Sequence, residues 1–331
     1  MTARARAARP RVAPWHTAAL TLCALVLFCG HAALAQPRAY ISNEKSNDVT
    51  VIDTQTDKVV ATVAVGERPR GIRLSPDGKR LYLALGDEDH IGVVDTTTLQ
   101  VTAKIPAGTD PEMFDVSPDG KRIYVSNEDA NTASVIDLDT QKIVATVPVG
   151  IEPEGVAVSP DGGLVYVTGE TSHTVSVIDA HSLQIVATIL VGSRPREAAF
   201  TPDGKRAYVT GEIGGTVSVI DVPAHKIMAT ITLEGGESKP KGVVVTPDGK
   251  QVLVANGAVH YVAVIDTDTN EVSATIPVGR RPWGIALTPD GKKAYVANGV
   301  SNDVSVIDTE ARRVITTIPV GTMPWGVAIA K

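Results

Sequence analysis

An internal repeat of 42 residues constrains this chain more than any other feature of its sequence. Segments similar to "VID" end in aspartate seven times, and these aspartates are 42 residues apart except for one interval of 45. A Pro-Asp-Gly turn recurs six times in a fixed phase, beginning at Pro76. Periods of roughly 20 to 50 residues are typical of solenoids and propellers. The seven aspartates are Asp53, Asp95, Asp137, Asp179, Asp221, Asp266 and Asp308.

Each repeat contains four short apolar segments, which predict four antiparallel strands named a, b, c and d. In one repeat they cover residues 155–159, 164–168, 175–179 and 185–191. The segments are rich in β-branched residues and are separated by turn residues, as strands are. The Pro-Asp-Gly turn suits the a–b hairpin, because proline presets one turn position and glycine adopts the left-handed one. The strand-c aspartate suits the c–d turn, where its carboxylate accepts backbone hydrogen bonds.

Closure of the array decides between a propeller and a linear solenoid. The chain from Gln36 starts with a strand b (residues 39–42) and ends with a strand a (residues 327–330), so one unit is complete only if the two ends meet. That pairing would also satisfy two open strand edges. An open array usually carries polar capping repeats, and the sequence shows none. We therefore expect an all-β, seven-bladed β-propeller in which the C-terminal strand a joins the N-terminal strands b, c and d.

The first 35 residues have the pattern of a cleaved signal peptide. Four arginines precede an apolar run at residues 18–28, and Ala33-Leu34-Ala35 is a typical cleavage pattern. The expected mature domain, residues 36–331, contains neither cysteine, which excludes disulfides, thiolate metal sites and c-type haem attachment. It has 27 basic and 37 acidic residues, and the resulting net charge of about −10 disfavours nucleic acid. No stretch after the signal peptide is long and apolar enough to span a membrane.

Two levels of resemblance to known proteins follow from the repeats. The segments "YVSN", "YVTG" and "YVAN" resemble the YVTN-type propeller repeats over essentially the whole mature chain. The segments "NEKSNDVTVID", "ERPRGI", "DPEMF", "EPEG", "SRPRE" and "PWGV" resemble the PQQ-dependent catabolism-associated β-propeller proteins. That resemblance implies a periplasmic protein associated with quinoprotein alcohol oxidation and with an exporter-type transport system.

The repeats differ most beside the proline that opens each strand a. Following the strands through a blade places the d–a and b–c loops on one face, so the residues before and after this proline should surround the channel mouth. The resulting ring is polarised, with two acidic blades, an arc of basic blades and two adjacent tryptophans. In blade order the pairs are Arg68 and Arg70, Asp110 and Glu112, Glu152 and Glu154, Arg194 and Arg196, Lys239 and Lys241, Arg281 and Trp283, Met323 and Trp325.

The basic and tryptophan sector predicts a site for a flat, acidic small molecule. Guanidinium groups bind carboxylates in bidentate fashion, and an indole face supports a planar ring. PQQ, a related quinone or an aromatic acid would fit. The alternative is that these charges form surface ion pairs that only orient neighbouring blades. The predicted binding residues are Arg68, Arg70, Arg194, Arg196, Lys239, Lys241, Arg281, Trp283 and Trp325.

The acidic sector predicts either a cation site or a solvated negative rim. Oxygen-only clusters favour hard cations such as calcium, although no D-x-D-x-D spacing is present. Arg73 and Asp115 share one register in consecutive blades and predict an inter-blade ion pair; Glu197 would pair with its neighbour Arg196. The residues of the acidic rim are Asp110, Glu112, Glu152, Glu154, Glu128 and Glu170.

Three functions remain open on the sequence alone. The leading one is a non-enzymatic periplasmic accessory protein of PQQ-dependent alcohol or aldehyde catabolism, which needs no cofactor and binds an acidic ligand or a dehydrogenase or transport-system partner. The second is a propeller enzyme of lactonase, lyase or quinoprotein type, for which no catalytic residue is apparent. The third is a surface scaffold or single-stranded nucleic-acid binder that uses the arc of Arg68, Arg194, Lys239 and Arg281.

Overall fold

The computed structural model describes residues 1–3, 37–234 and 237–330, and all but the first three residues of the predicted signal peptide lie outside this part of the chain. The described residues from Arg38 onward form 28 strands in seven four-stranded sheets. The predicted seven-bladed β-propeller is confirmed. The helical content of the described residues is one 3-10 turn, Gly86–Glu88. None of them belongs to a helix that is long and apolar enough to cross a membrane.

Each blade is an antiparallel meander, and its first strand lies innermost, against the channel. Blade 1 contains β28 (Pro324–Ile329), β1 (Arg38–Asn43), β2 (Asp48–Asp53) and β3 (Lys58–Ala64), and blade 2 contains β4 (Pro69–Leu74), β5 (Arg80–Leu85), β6 (His90–Asp95) and β7 (Val101–Pro106). Blade 3 contains β8 (Pro111–Val116), β9 (Arg122–Asn127), β10 (Thr132–Asp137) and β11 (Lys142–Pro148), and blade 4 contains β12 (Pro153–Val158), β13 (Leu164–Gly169), β14 (Thr174–Asp179) and β15 (Gln184–Leu190). Blade 5 contains β16 (Pro195–Phe200), β17 (Arg206–Gly211), β18 (Thr216–Asp221) and β19 (Lys226–Thr232). Blade 6 contains β20 (Pro240–Val245), β21 (Gln251–Asn256), β22 (Tyr261–Asp266) and β23 (Glu271–Pro277), and blade 7 contains β24 (Pro282–Leu287), β25 (Lys293–Asn298), β26 (Asp303–Asp308) and β27 (Arg313–Pro319).

The two ends of the domain meet in blade 1, as the closure argument requires. Strand β1 pairs with β2 on one side and with β28 on the other, both antiparallel. Ile41 lies opposite Val327 in the register of β1 and β28. The ring therefore has no open innermost strand, and the strand edges that a linear array would expose are paired.

The repeated turn residues act as the sequence predicts. Gly78 of the first Pro-Asp-Gly turn is left-handed, with φ of 69°. In the first c–d turn, Oδ1 of Asp53 accepts hydrogen bonds from the backbone N–H of Gln55 (3.0 Å) and Thr56 (2.8 Å). These bonds, with that from Thr56 first, lower the pKa of Asp53. The strand ends of the repeat at residues 155–191 differ from expectation by at most one residue, except that β12 begins at Pro153, two residues before the predicted start, because the proline already pairs with Gly169.

The core lies between adjacent blades. The cluster between blades 4 and 5 joins Tyr166 to Val209, and the Tyr166 ring lies 4.6 Å from that of Phe200. Innermost strands approach one another so closely that a Cβ at Gly155 would clash with the carbonyl oxygen of Arg196. Glycine at this third position of strand a thus permits the narrow hub.

We expect the closure strand to depend on packing between blades 7 and 1. Ile41 is fully buried in the cluster that also contains Val327. Ile41→Ala should therefore lower the free energy of unfolding by about 2–5 kcal/mol, because the substitution leaves a cavity. Ile315→Ala, at a position 42% exposed on the outer strand of blade 7, should cost less than about 0.5 kcal/mol. Urea denaturation compares the two variants, and equal losses would show that β1 is not part of the cooperative core.

Candidate functional site

The residues beside the strand-a prolines surround a cavity of about 660 Å³ at one end of the channel, here called the upper cavity. All seven blades contribute to its wall. Of the predicted binding residues, all nine line it: Arg68, Arg70, Arg194, Arg196, Lys239, Lys241, Arg281, Trp283 and Trp325. Of the predicted acidic rim, Asp110, Glu128 and Glu154 line it, and Glu112 and Glu170 lie behind its basic side chains. Glu152 is exposed and accepts a hydrogen bond from Thr171.

A left-handed turn in every blade aims these side chains at the mouth. The residue before the proline has φ between 51° and 57° in all seven blades, a conformation uncommon outside glycine. In six of the seven blades its N–H donates to a side chain in the b–c loop of the preceding blade: that of Arg68 donates to Oδ1 of Asn47 (3.0 Å), and that of Met323 donates to Oδ1 of Asn302 (2.9 Å). Sequence reasoning missed this turn, because none of the seven residues is glycine or asparagine. They are Arg68, Asp110, Glu152, Arg194, Lys239, Arg281 and Met323.

Hydroxyl groups on strand b fix the residue after the proline in four blades. The hydroxyl of Ser42 donates to the carbonyl oxygen of Arg70 at 2.7 Å, and that of Thr210 donates to the carbonyl oxygen of Lys241 at 2.7 Å. Ser126 and Thr168 make the corresponding bonds to the next blades. The backbone beneath the mouth residues is therefore tied across blade boundaries.

On one side of the mouth, arginines of blade 2 are neutralised by carboxylates of blades 1 and 3. Arg70 Nη1 lies 2.5 Å from both carboxylate oxygens of Glu112, and Nη2 lies 3.2 Å from Glu44. Arg68 contacts Glu112 as well and lies 2.5 Å from Asp110. Glu112 is fully buried, so both guanidinium groups are held by a carboxylate that water does not screen.

The same arrangement recurs between blades 4 and 5. Arg196 Nη2 lies 2.7 Å from Oε1 of the buried Glu154, and its Nη1 contacts Glu170. Arg194 Nε lies 2.7 Å from Glu170 and 3.5 Å from Glu212. Five of the nine predicted binding residues are thus paired with carboxylates of the protein itself: these four arginines and Lys241, which lies 3.6 Å from Glu197 and 3.9 Å from Glu154. This is the arrangement expected for ion pairs that orient neighbouring blades.

Blades 6, 7 and 1 form the remaining sector and differ in character. Among the described residues, neither Lys239 nor Arg281 has a carboxylate oxygen within 4.0 Å. The Arg281 guanidinium lies 4.9 Å from the centre of the Trp283 ring. Beneath them, Nζ of the buried Lys241 lies 3.3 Å from the centre of the Trp325 ring. We call these five residues the cationic–aromatic sector.

Burial and charge shift the pKa values of the mouth in opposite directions. Burial, followed by the charge of Glu154, raises the pKa of Glu112, whereas Arg70 and Arg68 oppose that rise and stabilise the charged carboxylate. Burial also raises the pKa of Glu170; Arg196 opposes the rise, the charge of Glu154 adds to it, and Arg194 opposes it. Glu154 is buried as well, yet Arg196 and Lys241 hold its pKa below the usual range. Burial lowers the pKa of Lys241.

The acidic sector contains one group that could hold a cation. Carboxylate oxygens of Asp110, Glu112 and Glu128 lie within 4.8 Å of one another. Arg68 and Arg70 already occupy Asp110 and Glu112, and their positive charges oppose a cation there. The arrangement fits an internal ion-pair network better than a calcium site, which uses six to eight oxygen ligands.

Two further expectations concern residues below the mouth. Nε of Arg73 lies 3.6 Å from Oδ1 of Asp115, across the boundary of blades 2 and 3. Glu197 was expected to pair with Arg196, and this is wrong: its Oε1 lies 3.6 Å from Nζ of Lys241 instead. Successive residues of a strand point to opposite faces, so Glu197 is directed away from its own neighbour and toward the next blade.

Comparison with protein-family models gives two partial matches. A model described as "Lactonase, 7-bladed beta-propeller" matches residues 179–316, and the "Cytochrome D1 heme domain" model matches residues 83–197. Each covers less than half of the chain. Both support a β-propeller family, and no curated protein matches the chain.

Solved structures resemble the whole propeller. Kuenenia stuttgartiensis hydrazine synthase is 26% identical with a TM-score of 0.73, covering 78% of this chain and 89% of that one. A proposed 6-phosphogluconolactonase from Bacteroides uniformis is 20% identical with a TM-score of 0.77, covering 89% and 100%. Dihydro-heme d1 dehydrogenase NirN in complex with DHE is 18% identical with a TM-score of 0.66, covering 88% and 75%. The last two likenesses show the fold alone.

The buried ion pairs of Glu154 predict that the two glutamates on either side of Pro153 contribute differently to stability. Glu154→Gln should lower the free energy of unfolding by about 2–4 kcal/mol, because Arg196 and Lys241 lose the charge between them. Glu152→Gln, on the exposed side of the same proline, should change it by less than about 0.5 kcal/mol. Denaturation of both variants at neutral pH makes the comparison, and equal effects would mean that the network does not stabilise the hub.

Proposed function

We propose that this protein binds a planar, anionic small molecule in the upper cavity, on the cationic–aromatic sector. The proposal rests on which basic residues of the cavity form ion pairs with carboxylates of the protein and which do not. Arg68, Arg70, Arg194 and Arg196 are bound by the protein's own carboxylates, whereas Lys239 and Arg281 face the cavity without a carboxylate from the described residues.

The shape and composition of this sector support a flat acid. The cavity volume of about 660 Å³ lies inside the range of roughly 300–1,000 Å³ that small-molecule sites occupy. Trp283 offers an indole face at the wall, and the stacked Arg281 adds a donor fork that matches a carboxylate. A ring system lying on the indole would bring its acidic groups to Arg281 and Lys239.

Among planar acids, PQQ and carboxylate-bearing tetrapyrroles are the two classes with support. The resemblance of "ERPRGI", "DPEMF" and "PWGV" to PQQ-associated propellers supports the first, and the Cytochrome D1 heme domain match supports the second. Among the described residues, the lining of the upper cavity contains neither His nor Cys, and Met323 is the one residue in it that has a sulfur atom. Haem iron is usually held by His or Cys, so the site fits acidic substituents better than an iron centre.

The cellular location and the pathway of the protein are proposed from its sequence. The signal pattern of residues 1–35 supports export to the periplasm. There the protein would act as an accessory of PQQ-dependent alcohol or aldehyde catabolism, next to a dehydrogenase or a transport-system component. The YVTN-type repeats and the blade-specific segments support this placement.

Titration with PQQ tests the binding proposal. PQQ should quench tryptophan fluorescence with one-to-one stoichiometry, and Arg281→Met should weaken binding about 10- to 100-fold by removing a charge-assisted contact. Arg280→Met is the matched control, because Arg280 is exposed and lies outside the cavity lining. Protoporphyrin IX is the second probe for the tetrapyrrole class. Absence of binding by both probes, or equal weakening by the two variants, would refute the proposal.

A propeller enzyme is the second candidate, and one carboxyl group favours it. Glu128 lines the upper cavity, and burial followed by the nearby Glu154 raises its pKa. Among the described residues it has no Arg or Lys nitrogen within 4.0 Å, unlike Glu112 and Glu170. A half-buried carboxyl with a raised pKa suits general acid–base catalysis, as lactone hydrolysis requires. The lactonase model match supports that reaction class.

Lactone turnover tests this candidate. If the protein hydrolyses sugar lactones, Glu128→Gln should lower kcat about 100- to 10,000-fold while leaving the melting temperature unchanged. Asp129→Asn is the matched control, since Asp129 is the exposed neighbour of Glu128. Equal activity of the two variants would exclude Glu128 as the acid or base.

A further inference from the structure

A second cavity of about 650 Å³ occupies the opposite end of the channel, on the face of the Pro-Asp-Gly turns. All seven innermost strands line it. The sixth residue of each is apolar and half-buried, from Leu74 in blade 2 to Ile329 in blade 1, with Phe200 the largest. We call this the lower cavity. Most of the residues that line it have apolar side chains, in contrast to the charged residues of the upper cavity.

The charged side chains of the lower cavity are few, and its carboxylates already serve the protein. Asp115 accepts hydrogen bonds from the backbone N–H of Val116 and of Val158 in the next blade, each at 2.9 Å. Glu197 lies 3.6 Å from Lys241 and accepts a bond from the N–H of Val243. Both acids therefore stabilise the boundaries between blades.

Arg73 is the one basic residue in the lining of this cavity. Its Nη1 donates to the carbonyl oxygen of Ile72 at 3.0 Å, and its Nε lies 3.6 Å from Asp115. A guanidinium group has five N–H donors in a planar fork, so these two contacts leave donors that can face the channel. The side chain is 33% exposed and forms part of the wall of the lower cavity.

We propose that the lower cavity is a second binding site, for a small monocarboxylate with an apolar body. The carboxylate binds the guanidinium fork of Arg73, and the apolar body lies against the aliphatic ring and Phe200. Asp115 and Glu197 in the same lining are held by backbone N–H groups, and Glu197 also by Lys241, so the remaining donors of Arg73 are what the pocket offers to the charge of a ligand. A neutral analogue loses the ion pair, and a cationic one meets Arg73 as a like charge. The site is separate from the upper cavity, although Trp325 forms part of both walls.

Calorimetric titration of the purified protein with octanoate, benzoate, octanol and octylammonium tests this inference. Octanoate or benzoate should bind with one-to-one stoichiometry, and octanol and octylammonium should bind at least about tenfold more weakly. Arg73→Met should lower carboxylate affinity about 10- to 100-fold, and Arg73→Lys should retain part of it. Arg80→Met is the matched control, because Arg80 follows the Pro-Asp-Gly turn on the same face but is exposed and outside the lining.

A blocking variant keeps the test decisive if Arg73→Met fails to fold. Ala199→Leu adds bulk to the wall without touching Arg73 and should also abolish binding. The inference is overturned if neither carboxylate binds, if octanol binds as tightly as octanoate, or if the Arg73 substitutions act no differently from Arg80→Met. Octanoate binding that is lost in Arg281→Met would locate it in the upper cavity and would overturn the inference as well. If Arg73→Met still binds PQQ, the proposed site in the upper cavity is supported independently of the result for the lower cavity.

Discussion

Closure of the ring by β28 and β1 is the constraint on which the rest of the molecule depends. Because these strands come from opposite ends of the domain, their pairing fixes the number of blades and brings Trp325 back beside Arg70. Only then do the fourteen residues that flank the strand-a prolines converge on one opening. Seven separate d–a turns become one cavity through this single long-range strand pair.

Because the hub is narrow, several charged side chains that follow the strand-a prolines are buried. Glu112, Glu154 and Lys241 are nearly or fully buried, a position that costs free energy unless opposite charges compensate it. Carboxylates of blades 3 and 4 and arginines of blades 2 and 5 supply that compensation across blade boundaries. Blades 6 and 7 add no acid to the lining of the mouth among the described residues. There Arg281 stands beside Trp283, and Lys241 stands beside Trp325 as well as Glu154 and Glu197. The asymmetry of the mouth thus arises from which blades carry acids.

The fold could be predicted because its determinants are local and repeated. Residues such as Asp53 and Gly78 act within their own turns, and the same turn recurs in nearly every unit. The pairing of the mouth could not be predicted, because it depends on distances between blades. Arg70 reaches Glu112, 42 residues away, and Lys241 lies over Trp325, 84 residues away. The lower cavity was missed for a similar reason: a ring of ordinary strand residues such as Leu74 and Ile329 carries no signal until the ring is closed.

The structure also explains how one repeat provides two different openings. At the upper end, a left-handed turn held by the preceding blade presents two side chains per blade, whatever their identity: Arg68 and Met323 share one backbone conformation. Replacing those side chains changes the chemistry of the mouth without changing the turn. At the lower end, the sixth residue of strand a packs against its neighbours as well as facing the channel, so it must stay apolar. Variation in charge is therefore permitted at one end and restricted at the other, where Arg73 and Asp115 at the fifth position and Glu197 at the third are the exceptions among the described residues.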